Sequence, residues 1–435
     1  MWSVMTQKTR RTVLKLLGAT TAVGGIGTGS AQKGKKKKGQ IKKFGHSLLS
    51  DPPGSYAEVD VRNDGHYAVL GSYLGEGGSF LVDIQNPTNP TEVHRIPSSS
   101  HTRNADVKFD TRPGLYYRSQ EPNDEQGVGG VEVIDYGYSD ATPQNPAVIS
   151  RLEAGETHNL FKHPHADIVY TVNAHGSHGD EENTGFDIFD VSDPWNPQKL
   201  GEAGPAGALH DIVIDPDSNF MHCAYIGGAL DGYVIVDVSN PTEPSEVGRF
   251  DYEGRPDYSE KRLENGEPGF ESCHYANYDP ERGLAVVGDE IGQGWPGGKH
   301  IFDIGWGDGS PSDPQHIGFT YSPDAEYQGD DPLETYDWTT HNHDIIPKGN
   351  NTLLIDGGYH EGAVVYDMSD PTDPVPTDEY ETDDKADEAN GAPWLGSAPN
   401  AWGADYNAAR DLVVVSDMTT GIYTFEVTPT ASEEI

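Results

Sequence analysis

The stretch Tyr233-Val-Ile-Val-Asp-Val-Ser-Asn-Pro241, continued by Thr242-Glu-Pro244, decides how the rest of the chain is read. Its run of β-branched residues is too short for a helix and stops at an acid and a turn cluster, the pattern of a strand entering a tight turn. The two prolines stiffen that turn and cannot continue a hydrogen-bonded ladder. Upstream lie His210-Asp-Ile-Val-Ile214, a turn at residues 215–219 and a second apolar run from Phe220 to Ile226. Downstream, Glu246-Val-Gly-Arg-Phe250 supplies a fourth strand. The unit is therefore four short strands joined by Gly, Pro, Asp and Asn turns.

Six other segments share its core: Phe80-Leu-Val-Asp83, Val131-Glu-Val-Ile-Asp135, Phe186-Asp-Ile-Phe-Asp190, His300-Ile-Phe-Asp303, Val364-Val-Tyr-Asp367 and Ile422-Tyr-Thr-Phe-Glu426. The shared acids recur at intervals of 47 to 66 residues, a period that fits a four-stranded blade. The expectation is an all-β, seven-bladed β-propeller. The repeated acid is read as structural, bonding turn or neighbouring-blade backbone. After Val427 no fourth strand remains for the last blade, whereas Lys43 to Leu49 forms an unassigned strand ahead of the first. That segment is expected to complete blade 7 and close the ring, which removes sheet edges prone to aggregation.

These segments resemble the LVIVD-repeat family, with Tyr233-Val-Ile-Val-Asp237 the nearest match and the likeness covering roughly residues 45–428. Blades 2 and 5 depart most, with Gly, Ser and Asp inserted after the acid. The resemblance implies a propeller, often exported or surface-associated, of the kind found in haloarchaea, and specifies no chemistry. A histidine-bearing propeller is also distantly similar to selenium-binding-type thiol oxidases and to propeller lactonases, whose full motif sets are not present.

Acidic residues number 71 against 29 basic, a formal net charge of −42. Such a surface repels itself at low salt and is tolerated where screening is strong, the composition of a halophilic protein. It disfavours nucleic acid as a partner. The N-terminus has the layout of an export signal: Thr9-Arg10-Arg11-Thr12-Val13-Leu14-Lys15 resembles the twin-arginine motif, an apolar stretch follows, and small residues stand at Gly29-Ser30-Ala31. The chain is accordingly divided into a signal at 1–31, a basic flexible linker at 32–42, the propeller at 43–428 and a tail at 429–435. The expected product is an exported, extracellular or surface-associated monomer with no transmembrane segment in its mature form. The two cysteines, Cys223 and Cys273, could be joined in an exported protein, but sequence supplies no geometry for it.

The histidines keep a register. Aligned on Pro164, Pro216, Pro280 and Pro347 of the first turn, blades 3 to 6 each carry a histidine six residues earlier: His158, His210, His274 and His341. Inner strands of a propeller line its axis, so these four should gather at one mouth of the channel. Loops ending the second strands return to the same mouth and bring His175, His178, Asp180, Asp289, Glu290, His360 and Glu361. Imidazoles with carboxylates suit Zn, Cu, Ni or Fe better than Ca. The metal candidates are His158, His210, His274, His341, His175, His360 and Glu290, with Glu290 or His360 as groups that could move a proton. A ring of polar residues satisfying inner-strand backbone is the alternative. His222 and His300 are read as packed or surface residues, His343 as ambiguous. Three long connections, 251–272, 320–339 and 378–399, carry aromatic residues that could form a lid over this mouth. No phosphate-binding loop, dinucleotide fingerprint or CxxC is present, so no organic cofactor is expected. Two functions follow: a protein that binds a small molecule or surface partner, or a metal-dependent oxidoreductase or hydrolase.

Overall fold

The computed structural model describes residues 40–172, 185–255, 269–325, 327, 338–390 and 398–429. These residues form seven antiparallel sheets, six of them four-stranded. Blade 4 shows the plan: Leu209–Ile214 innermost, then Phe220–Gly227, Leu230–Asp237 and Ser245–Asp251. The inner strands touch in order from blade 1 to blade 7 and back to blade 1, so the sheets make a closed ring. Blade 2 differs in having its inner strand in two pieces, Thr102–Arg103 and Val107–Phe109.

Closure comes from the chain's beginning. Ile41–Ser47 pairs antiparallel with Gly421–Val427, Ile41 opposite Val427 and Ser47 opposite Ile422. This strand starts two residues before the sequence suggested, because Asp378 Oδ2 of blade 6 accepts the N–H groups of Gln40 and Ile41, each at 3.0 Å.

A separate apolar cluster fills each of the seven junctions between blades. Between blades 4 and 5, for instance, Tyr233 and Ile235 pack on Ala276, Val287 and Phe302. Large side chains such as Tyr225, Tyr233 and Tyr366 are fully buried there. Burial of one such side chain contributes on the order of 2 kcal/mol, so rigidity is spread around the ring.

In six blades the repeated acid does what its position implied, while Glu426 of blade 7 instead meets Lys42 Nζ at 3.4 Å. Asp237, Asp190 and Asp367 each accept one backbone N–H two residues on, from Ser239, Ser192 and Ser369 at 2.8 Å. In the two divergent blades the acid serves a longer turn. Asp303 accepts from Gly305, Trp306, Gly307 and Gly309 at 2.7–3.0 Å. Asp135 accepts from Gly137, Tyr138 and Ser139.

Cys223 and Cys273 are both buried and unbridged. Among the described residues, no helix is long and apolar enough to cross a membrane.

Candidate metal centre

The inner strands position the site through a repeated irregularity. Pairing of the innermost strand with its neighbour slips between Leu209 and Asp211, between Cys273 and Tyr275, and between Ala401 and Gly403. The residues skipped are His210, His274 and Trp402. A bulged residue leaves the ladder and its side chain is re-aimed. At this register the seven blades carry Ala57, Ala105, His158, His210, His274, His341 and Trp402. Two residues further on, the side chains turn into the core as Val59, Val107, Leu160, Ile212, Ala276 and Ala404, all buried. Blade 6 alone has a histidine there, His343, which settles its role as an interior residue rather than a member of the mouth.

The four histidines do meet. Ring centroids run 4.9 Å from His158 to His210, 3.9 Å to His274 and 4.5 Å to His341. Two aromatic residues close the circle: Trp402 lies 4.8 Å from His341, Tyr73 4.8 Å from Trp402, and His158 6.4 Å from Tyr73. All six side chains are buried, the histidines at 2–4% exposure.

Three of the imidazoles are held by Nδ1. His158 donates to Glu121 Oε2 at 2.8 Å, His210 to the carbonyl of His274 at 3.0 Å, and His341 to the carbonyl of Trp402. Carbonyl and carboxylate oxygens only accept, so each of these Nδ1 atoms carries a proton. Such anchoring fixes tautomer and ring orientation in the way metal-binding histidines require. Glu121 is itself gripped at both oxygens by Arg103, at 2.7 Å each, and that guanidinium lies over Tyr73.

Glu290 completes the group. Its Oε2 lies 3.6 Å from His274 Nε2 and its Oε1 4.0 Å from His341 Nε2. Among the described residues, His274, Glu290 and His341 form the only set of three whose ligand atoms fall within 4.8 Å of one another. Tyr359 donates to Glu290 Oε1 at 2.7 Å. Burial pushes the Glu290 carboxyl up to about 7, the Tyr359 hydroxyl opposing it. Burial also pushes His341 down to about 3 and His274 well below the ordinary value, with neighbouring imidazoles adding to the latter. Both rings are therefore neutral, the form that binds metal. His274 Nδ1 has no hydrogen-bond partner.

Beneath this group Lys299 donates to the His341 carbonyl at 2.6 Å and to His343 Nδ1 at 2.9 Å, and pairs with Asp356 at 2.7 Å. The side chains of Lys299, His343 and Asp356 are all fully buried.

The remaining sequence-derived residues fall elsewhere. His360 is half-buried in the turn before Gly362–Asp367 and is not part of the close set. His175, His178 and Asp180 lie outside the described residues. His222 is packed between Tyr233 and Tyr278, and His300 bonds Asp289 at 2.9 Å. Described aromatics of the long connections mostly pack inward rather than over the mouth. Tyr252, Phe270, Tyr321 and Trp338 are buried, and Tyr252 bonds Asp289; Tyr327 stays exposed. Sequence reasoning missed Trp402, Tyr73, Arg103 and Glu121. Trp402 shares the histidine register, but blade 7 lacks the turn proline used for alignment; the others carry no local signal.

Seven radial sheets around an imidazole-lined mouth define a β-propeller of repeated strand units. A family model of the LVIVD repeat matches residues 60–97 and 222–252, in blades 1 and 4. The chain thus carries LVIVD repeats within a seven-bladed β-propeller. No curated protein matches it in sequence. In structure it is similar to a Lactobacillus plantarum protein, at 14% identity and a TM-score of 0.54, covering 84% of this chain and 92% of that one. It is also similar to the Cps50 (Swd1) β-propeller domain of Myceliophteria thermophila, at 10% identity and 0.52, covering 89% and 98%. At these identities the likeness concerns the fold.

Proposed function

We propose that this protein is an exported binding propeller whose mouth holds one divalent transition metal on His274, Glu290 and His341. The observation that carries the reading is the convergence of two Nε2 atoms and one carboxylate within 4.8 Å. Two neutral imidazoles with one carboxylate suit Zn, and equally Fe, Cu or Ni, better than a hard cation. His210 and His158 stand beside the metal and shape what reaches it. The ligand on this reading is a small molecule or a surface group entering the mouth, bound by a monomer. Export rests on Arg10-Arg11 and the apolar and small residues after them, a signal at 1–31 followed by the basic segment to residue 42. The acidic excess supports work in strong salt.

A metal-dependent enzyme is the second reading. It draws on the donor set itself, since two histidines and a carboxylate are the protein ligands of many catalytic zinc and non-haem iron sites. Glu290 is then a ligand rather than the proton carrier.

The test is metal analysis of protein purified without a histidine tag. One transition metal per chain, lost in the His274→Ala/His341→Ala double variant with an unchanged circular dichroism spectrum, is the expected result. Protein that takes up no Zn, Cu, Ni or Fe from equimolar solution defeats the reading.

A further inference from the structure

The junction between blades 5 and 6 holds a lysine and an aspartate within reach of bond formation. Lys299 opens the third strand of blade 5, Lys299–Asp303, and Asp356 lies in the second strand of blade 6, Leu353–Gly358. Lys299 Nζ stands 2.7 Å from Asp356 Oδ1. Neither Asp356 oxygen has a donor in hydrogen-bonding geometry, so the nitrogen meets the carboxyl group off the line of a hydrogen bond. The hydrogen bonds of the lysine go instead to the His341 carbonyl at 2.6 Å and to His343 Nδ1 at 2.9 Å.

His343 is placed by strand pairing. It stands directly opposite Asp356 in the antiparallel ladder of blade 6, so the two side chains share a face. Lys299 reaches them from the neighbouring blade. A Cβ at Gly288 would lie 2.8 Å from Lys299 Nζ, so glycine there keeps the path of the lysine open. Lys299, His343 and Asp356 have no exposed surface. A buried pair of charges carries a desolvation cost that its attraction does not always offset. An amide in the same place carries no net charge.

We propose that Lys299 and Asp356 are joined by an intramolecular isopeptide bond, with His343 as the base that assists it. In the folded chain Lys299 Nζ gives a proton to His343 Nδ1, and its lone pair forms a bond to Asp356 Cγ. That carbon then releases one carboxyl oxygen. The oxygen takes the proton returned by His343 and a second from the nitrogen, and leaves as water. Of the three ammonium protons one stays on the amide nitrogen, and no oxidant or further reactant is needed. Two groups fixed at contact distance react as though at very high concentration, and a site closed to water slows the reverse reaction. The bond ties together the two blades that carry Glu290 and His341, whatever the mouth above it binds.

Mass identifies the bond independently of stability, because any variant that prevents it also breaks the ion pair. The purified full chain, denatured, should weigh one water less than the sequence between its measured ends. A tryptic digest should lack cleavage after Lys299 and contain a branched peptide joining the stretch around Lys299 to that around Asp356. Lys299→Arg and Asp356→Ala should each restore the full mass, whereas Asp356→Asn should lose one ammonia in place of water. His343→Leu should leave most chains unjoined; complete joining in that variant would remove His343 from the reaction. An unaltered chain of full mass, or one a water lighter whose peptides around both residues are linear, overturns the proposal and requires no variant to fold.

Discussion

His210 donates its Nδ1 proton to the carbonyl of His274 and lies 3.9 Å from that residue's ring, centroid to centroid. One histidine is thus the brace of the next, across a blade junction. His210→Ala should keep the metal site but loosen it, lowering affinity about 10- to 100-fold, the usual effect of losing a group that orients a ligand. Competition titration with a chromophoric chelator reads this directly. Equal affinity would remove His210 from any role at the centre.

Ring closure rests on Ile41–Ser47. Deleting residues 40–47 bares the edge of Gly421–Val427 and breaks the tie to Asp378. Calorimetry should show the single transition broadening and falling. An unchanged melt would mean that the other contacts of blade 7 suffice.

The turn acids should differ in weight. Asp237 holds one N–H and is half-buried, whereas Asp303 holds four and is nearly covered. Asp303→Ala is expected to cost on the order of 3 kcal/mol and Asp237→Ala about 1, since hydrogen bonds to charged groups outweigh neutral ones and buried donors left unmet add a penalty. Denaturant midpoints at high salt compare the two.

Lys299 and Asp356 form an ion pair with both side chains out of water. Lys299→Met strands the carboxylate and the His341 carbonyl, and should cost about 3–5 kcal/mol. The Lys299→Met/Asp356→Leu double variant should recover much of that loss, because the uncompensated charge has gone. Additive losses would refute the coupling.

Acid stability should report His222. Burial pushes its imidazole down to about 4, below the ordinary value near 6.5. The unfolded chain then takes the proton first, so this contribution is complete above about 6.5 and is lost as pH falls toward 4. His222→Phe keeps a ring between Tyr233 and Tyr278 but cannot titrate. Its stability should fall less steeply across that window, by up to about 1.4 kcal/mol per pH unit. A parallel acid limb in both proteins would show that other groups carry it.

The repeated acid and its turn prolines were legible in the chain, because a blade is a local unit and its turns are written in residues that tolerate few other conformations. Counting six back from Pro164, Pro216, Pro280 and Pro347 was enough to bring four histidines to one mouth, since every inner strand has the same length to its first turn. Even the odd strand ahead of blade 1 could be assigned, from the lack of a partner after Val427.

What lay beyond the sequence is everything that depends on side chains from different blades meeting. Periodicity says which residues face the axis, but a bulge decides their aim, and no local pattern marks Trp402 as the successor of His341. Nor could it separate His274, Glu290 and His341 from His158 and His360, because a fraction of a turn at the axis changes a ligand distance by several ångströms. Register is a property of one strand and survives in one dimension; convergence is a property of seven, and exists only once the ring has closed.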